Sequence, residues 1–113
     1  MKTIYLHNPR CSKSRQGLEL IIDKNIDHEV IEYLKTPLTK VQLSDLFTLL
    51  NKKYSLKEFT RIKEKEFDAE VNSLTKKSWV ELIYKTPKLM ERPILFNKTK
   101  AIIGRPPEEL LSF

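Results

Sequence analysis

This sequence is poor in the residues that several kinds of chemistry require. It has one cysteine, two glycines, one tryptophan and two histidines in 113 residues. A single cysteine closes no internal disulfide, so the chain is not a disulfide-stapled scaffold and suits a reducing compartment. With only Gly17 and Gly104, neither the glycine-rich phosphate loop nor the dinucleotide fingerprint can be written. Cys11, His7 and His28 have no ligand-like spacing, so no metal centre is expected. No apolar run approaches the roughly 20 residues a membrane span needs. The opening segment, Met1 to Pro9, lacks the long apolar core of a secretory signal. The expectation is a cytoplasmic protein without a membrane partner.

What is present describes a soluble globular chain. Hydrophobic residues make up 40% and charged residues 32%, enough apolar content for one core and one domain over residues 1–113. The net charge of +6 favours anionic partners. Charge alone does not choose among a small oxyanion, a nucleotide and a nucleic acid.

Along the chain, Thr3-Ile4-Tyr5-Leu6 reads as a first strand. A helical pattern follows with Leu18, Ile21 and Ile22 on one face. The segment Asp27 to Leu34 reads as a second strand, ended by Thr36-Pro37. Thr39 with Gln42 has the spacing of a capping box, and Leu43, Leu46, Phe47 and Leu50 give the next helix one apolar face. Residues 52–74 are charge-rich, with a second capping-box pattern at Ser55 and Glu58. They read as a helical insert of one or two short helices, made basic by Lys52, Lys53, Lys57, Arg61, Lys63 and Lys65. Thr75 opens a helix carrying Trp79, Leu82 and Ile83. Ile94-Leu95-Phe96 and Ala101-Ile102-Ile103 form a hairpin around Asn97-Lys98-Thr99. A short last helix begins near Pro106-Pro107. The order is β-α-β-α, helical insert, α-β-β-α.

Cys11 falls where the first strand gives way to the first helix. Unpaired backbone N–H groups and the helix dipole stabilise a thiolate there. Arg10, Lys13 and Arg15 add positive charge. Most lone cysteines are small buried hydrophobes, but Pro, Arg, Ser and Lys are poor company for a core residue. The position therefore predicts a nucleophile. A phosphatase-type oxyanion loop is excluded, because the residue six after Cys11 is Gly17 and not arginine.

A cysteine after the first strand and an X-Pro before the third resemble a thioredoxin fold: an α/β protein whose mixed four-stranded sheet is flanked by helices, with a helical insert. Three motifs narrow the resemblance. Tyr5 to Arg15, then Glu91-Arg92-Pro93-Ile94, then Gly104-Arg105-Pro106-Pro107-Glu108, together resemble the glutaredoxin-coupled arsenate reductase family over nearly the whole chain. The resemblance implies that Cys11 attacks arsenate, with glutathione as co-substrate, glutaredoxin as partner and no bound cofactor. It implies that Arg61, Arg92 and Arg105 bind the oxyanion, as the planar donor fork of arginine suits. Ser14 matches a serine that hydrogen-bonds the nucleophile, His7 and Asn8 match the loop entrance, and Pro93 matches a cis proline. A monomer that does not act on nucleic acid is expected.

Simpler roles compete. Arg61 could be one more cation on a charged helix, Arg105 could pair with Glu108 or Glu109, and Ser14 could assist capping. Ser12-Lys13 replaces the Gly-Thr more usual between the cysteine and the serine, which marks a less well defined branch. The resemblance also leaves open a glutathione-dependent protein thiol oxidoreductase. A further alternative is a transcription regulator of the Spx type that binds RNA polymerase, although Ser14 removes the second cysteine of that family's disulfide switch.

Overall fold

The computed structural model describes residues 2–113, and the chain divides into two compact units. One contains the N-terminal segment through Thr36 and resumes at Arg92–Phe113; the other is Pro37–Glu91. The segment expected as an insert, 52–74, lies within the second unit.

The first unit carries the whole sheet. Strands β1 (Ile4–Leu6), β2 (Glu29–Ile31), β3 (Ile94–Phe96) and β4 (Ala101–Ile103) lie in the order β2-β1-β3-β4. β1 runs parallel to β2 and antiparallel to β3, and β3 is antiparallel to β4. The sheet is mixed, as expected. In register, Tyr5 lies opposite Val30 on one side and Leu95 on the other, and Leu95 lies opposite Ile102. Alternation along each strand sends Tyr5, Leu95 and Ile102 to one face. There they form a buried cluster with Ile21 and Leu110, and Leu18, Ile26 and Phe113 pack at its edge.

Helix α1 (Ser12–Asp23) and a C-terminal 3-10 segment (Pro107–Ser112) cover that face. The buried stripe of α1 is Ser14, Gly17 and Ile21, with Leu18 half-buried. Ile22, expected on the same face, is 54% exposed. It sits one residue, or about 100°, around the helix from Ile21 and so turns past the edge of the apolar stripe. β2 is also shorter than the eight-residue strand expected at 27–34. Glu32 to Thr36 fold into hydrogen-bonded turns, and Glu29 and Val30 are exposed, in keeping with an edge strand. The last helix forms as the 3-10 segment, with proline in its first turn. Asn97 Oδ1 closes the β3–β4 turn by accepting the Thr99 and Lys100 N–H groups at 2.9 and 3.0 Å.

The second unit contains α2 (Lys40–Asn51), a single helical turn α3 (Leu56–Phe59) and α4 (Lys76–Lys85). The Thr39–Gln42 capping box is complete, and Leu43, Leu46, Phe47 and Leu50 are all buried as their spacing requires. α2 packs against α4. Phe47, Phe59 and Trp79 meet as a three-ring cluster with centroids 5.4 to 5.7 Å apart. Trp79 Nε1 donates to Thr60 Oγ1 at 2.9 Å in the buried interior. Residues 61–70 are turns and bends rather than helix; a 3-10 turn at Val71–Ser73 precedes α4. Charged side chains at most of these positions, with few apolar residues between them, give a helix little to bury. Among the described residues no helix is long and apolar enough to cross a membrane.

Candidate active site

Cys11 is the N-cap of α1, in extended conformation, with φ −94° and ψ 121°. Its backbone closes the preceding turn, since Cys11 N–H donates to Asn8 C=O at 3.0 Å and Cys11 C=O accepts from Arg15 N–H at 3.0 Å. The side chain is half-buried and in no disulfide, and it forms no capping hydrogen bond of its own. Partial burial pushes the thiol up. The Ser14 amide, the hydrogen bond and charge of Arg92, and the Lys13 amide outweigh it, so the thiol is held below its ordinary range. Arg105 adds a second guanidinium: Nη2 stands 3.6 Å from Sγ, and Nε donates to Arg92 C=O at 2.8 Å. Two arginines from the C-terminal part of the unit thus converge on one sulfur.

The loop before Cys11 is tied to the helix from inside. The Ser14 side chain is fully buried. Its Oγ pairs with His7 Nδ1 at 2.7 Å and accepts from Asn8 N–H at 2.9 Å. The hydroxyl was expected to address the nucleophile; its hydrogen bonds instead go to His7 and Asn8, and the Ser14 amide favours the thiolate. The reason is rotational: Ser14 lies on the buried stripe of α1, so its side chain faces the sheet and its N–H faces the helix mouth. His7 is buried, and burial, countered by Glu32 and reinforced by Arg15, pushes its imidazole toward the neutral form. Asn8 Oδ1 accepts from Arg10 N–H at 3.1 Å, and Arg15 Nη1 donates to Pro9 C=O at 2.9 Å. Asn8 and Arg15 therefore shape the loop around the thiol.

Pro93 follows a cis peptide bond, as the resemblance implied, and Arg105–Pro106 is cis as well, which no feature of the sequence had marked. Pro93 C=O accepts from Gly104 N–H at 2.9 Å, which joins the segments carrying Arg92 and Arg105. Arg61 lies in the second unit. Its N–H donates to Leu89 C=O at 2.7 Å, and its Nη1 is 3.7 Å from Glu64 Oε1. Glu64 also pairs with Lys88 at 3.5 Å, and Lys88 with Glu66 at 2.9 Å. One buried residue at the site had been given no role of its own beyond the first strand and the head of the first motif: Tyr5, whose hydroxyl donates to Ser14 C=O at 2.6 Å. A polar ring on a central apolar strand was the available sign, since a buried tyrosine hydroxyl needs a partner. Among the described residues no group of His, Cys, Asp and Glu could hold a metal ion.

A cysteine at the mouth of the first helix, on a mixed sheet entered through a cis proline, defines a thioredoxin-like thiol protein. Within that class the chain belongs to the ArsC family, whose model matches residues 6–113. It is 44% identical over 108 residues to the uncharacterized protein YfgD of Escherichia coli strain K12, covering 93% of this chain and 90% of that one. It is 38% identical over 107 residues to an arsenate reductase of Neisseria meningitidis, covering 92% and 91%. The solved structure of an arsenate reductase from Vibrio cholerae matches with a TM-score of 0.84 at 34% identity, covering 99% of this chain and 97% of that one.

Proposed function

We propose that this chain is a thiol-dependent arsenate reductase that works as a cytoplasmic monomer, with glutathione as co-substrate and glutaredoxin as partner. The observation that carries the reading is the Cys11 thiol, held low at the N-terminus of α1 with Arg105 Nη2 3.6 Å from Sγ. Relatives named arsenate reductase over nine-tenths of their length support it. The Cys11 thiolate attacks arsenic(V) and displaces water from protonated arsenate, forming a sulfur–arsenic bond. The thiol of glutathione then supplies the second sulfur. Arsenic takes two electrons and leaves as arsenite while a Cys11–glutathione disulfide forms. A glutaredoxin thiolate attacks the glutathione sulfur, takes the glutathionyl group as its own mixed disulfide and releases the Cys11 thiolate. An anion and a thiolate repel, so the site needs cations that offset both charges. Arg92 and Arg105 do this through forked donors that match tetrahedral oxygens. The family resemblance alone offers Arg61 as a third oxyanion ligand; in the second unit its guanidinium faces Glu64.

The test is arsenite release from arsenate with glutathione and glutaredoxin, set beside deglutathionylation of a model mixed disulfide. Cys11→Ser is expected to abolish arsenite release while keeping the fold. Deglutathionylation without arsenite release would replace arsenate reduction with a protein thiol oxidoreductase. The absence of both activities from the wild-type chain would sink the enzymatic reading.

A further inference from the structure

We infer that Tyr5 is a positioning residue for the Cys11 thiolate: its buried hydroxyl, bonded to Ser14 C=O, holds the first turn of α1 so that its amides face the sulfur. The inference rests on the reading of Cys11 as the reactive thiol. Tyr5 sits on the central strand β1 and is fully buried. A hydroxyl there is shielded from bulk solvent, and its partner is the carbonyl of the residue whose amide favours the thiolate. The bond is short, at 2.6 Å, and spans nine residues, from strand to helix.

Space at the site is shaped around that hydroxyl. A Cβ built on Gly17 would strike Tyr5 Oη and come within 2.7 Å of Leu110 Cδ1. Glycine at position 17 therefore lets α1 approach β1 closely enough for the bond to form. The same turn is anchored through a different atom of the same residue, because Ser14 Oγ is engaged by His7 and by Asn8 N–H. Ser14 is thus held at its side chain and at its carbonyl, which leaves its N–H little freedom to swing from the sulfur. The phenol also senses the site. Burial chiefly raises it, the Ser14 bond lowers it, and charge on Cys11 raises it further.

The test is the rate of Cys11 alkylation by iodoacetamide against pH, in the wild-type chain and in Tyr5→Phe. Phenylalanine keeps the ring in its cluster and removes only the hydroxyl. Alkylation of the variant should be roughly threefold slower near pH 6 and converge with the wild type at high pH, where every thiol is ionised. A loss of packing alone would slow alkylation equally at all pH values or unfold the chain, without moving the midpoint. Should Tyr5→Phe fail to fold, 3-fluorotyrosine at position 5 supplies a more acidic and stronger donor, and the midpoint should move down. A wild-type midpoint already in the ordinary thiol range would defeat the Cys11 reading itself. A depressed wild-type midpoint that neither change at position 5 moves would overturn the role of Tyr5 alone.

Discussion

Replacing Arg105 with glutamine isolates the charge on one guanidinium. Nη2 lies 3.6 Å from Sγ. Two unit charges at that distance attract by about 1 kcal/mol even at the dielectric constant of water, and by more where protein displaces solvent. Arg105 is exposed, so the water value is the one to use. With a Debye length of about 10 Å at 0.1 M salt, screening leaves about 0.8 kcal/mol. That is roughly a fourfold loss of thiolate at any pH well below the thiol midpoint. Glutamine retains donors but no charge. The variant should therefore be alkylated about fourfold more slowly near pH 6 and at the wild-type rate at high pH. Raising the salt to about 1 M, where the Debye length is about 3 Å, should narrow the difference to about twofold. Arg105→Lys keeps the charge without the fork and should lie between. Identical pH profiles at low salt would refute the electrostatic role. A uniform slowing at every pH would assign the effect to access rather than to charge.

Two further measurements address the scaffold. Thr60→Val leaves Trp79 Nε1 buried without its 2.9 Å acceptor, which should destabilise the fold by about 1–3 kcal/mol in urea unfolding; a change below about 0.5 kcal/mol would show that another acceptor takes over. The imidazole of His7 binds its proton less tightly in the fold than when unfolded, through burial and Arg15 against the opposing pull of Glu32. The unfolded chain therefore takes up more protons on acidification. The contribution of His7 is complete above the ordinary histidine range and is lost as pH falls through that range to the lowered folded value. The urea midpoint should fall between about pH 7.5 and pH 5, and His7→Gln should flatten that slope; a midpoint that rises on acidification would contradict the assignment.

The features that depend on spacing within a turn or two were readable before any coordinates. Thr39 and Gln42 lie three apart and close a capping box wherever a helix follows. Leu43, Leu46, Phe47 and Leu50 fall on one face for the same reason. Cys11 had to sit at a helix mouth, because an apolar strand precedes it and a helical stripe follows. Pro93 and the two motif arginines came through the family resemblance, not from periodicity.

Sheet closure decided the rest. Arg105 is 94 residues from Cys11 in the chain, and no local pattern encodes a contact of that separation. It exists because β3 pairs with β1, β4 pairs with β3, and Pro93 and Gly104 are hydrogen-bonded across their ends. The same closure left β2 at the edge of the sheet, where it is short and exposed. It also gave Tyr5 its partner. The sequence by itself determined where the lone sulfur would stand, at the mouth of the first helix; only the folded sheet decided which distant charges would face it, because those contacts are made by strands that meet in space rather than along the chain.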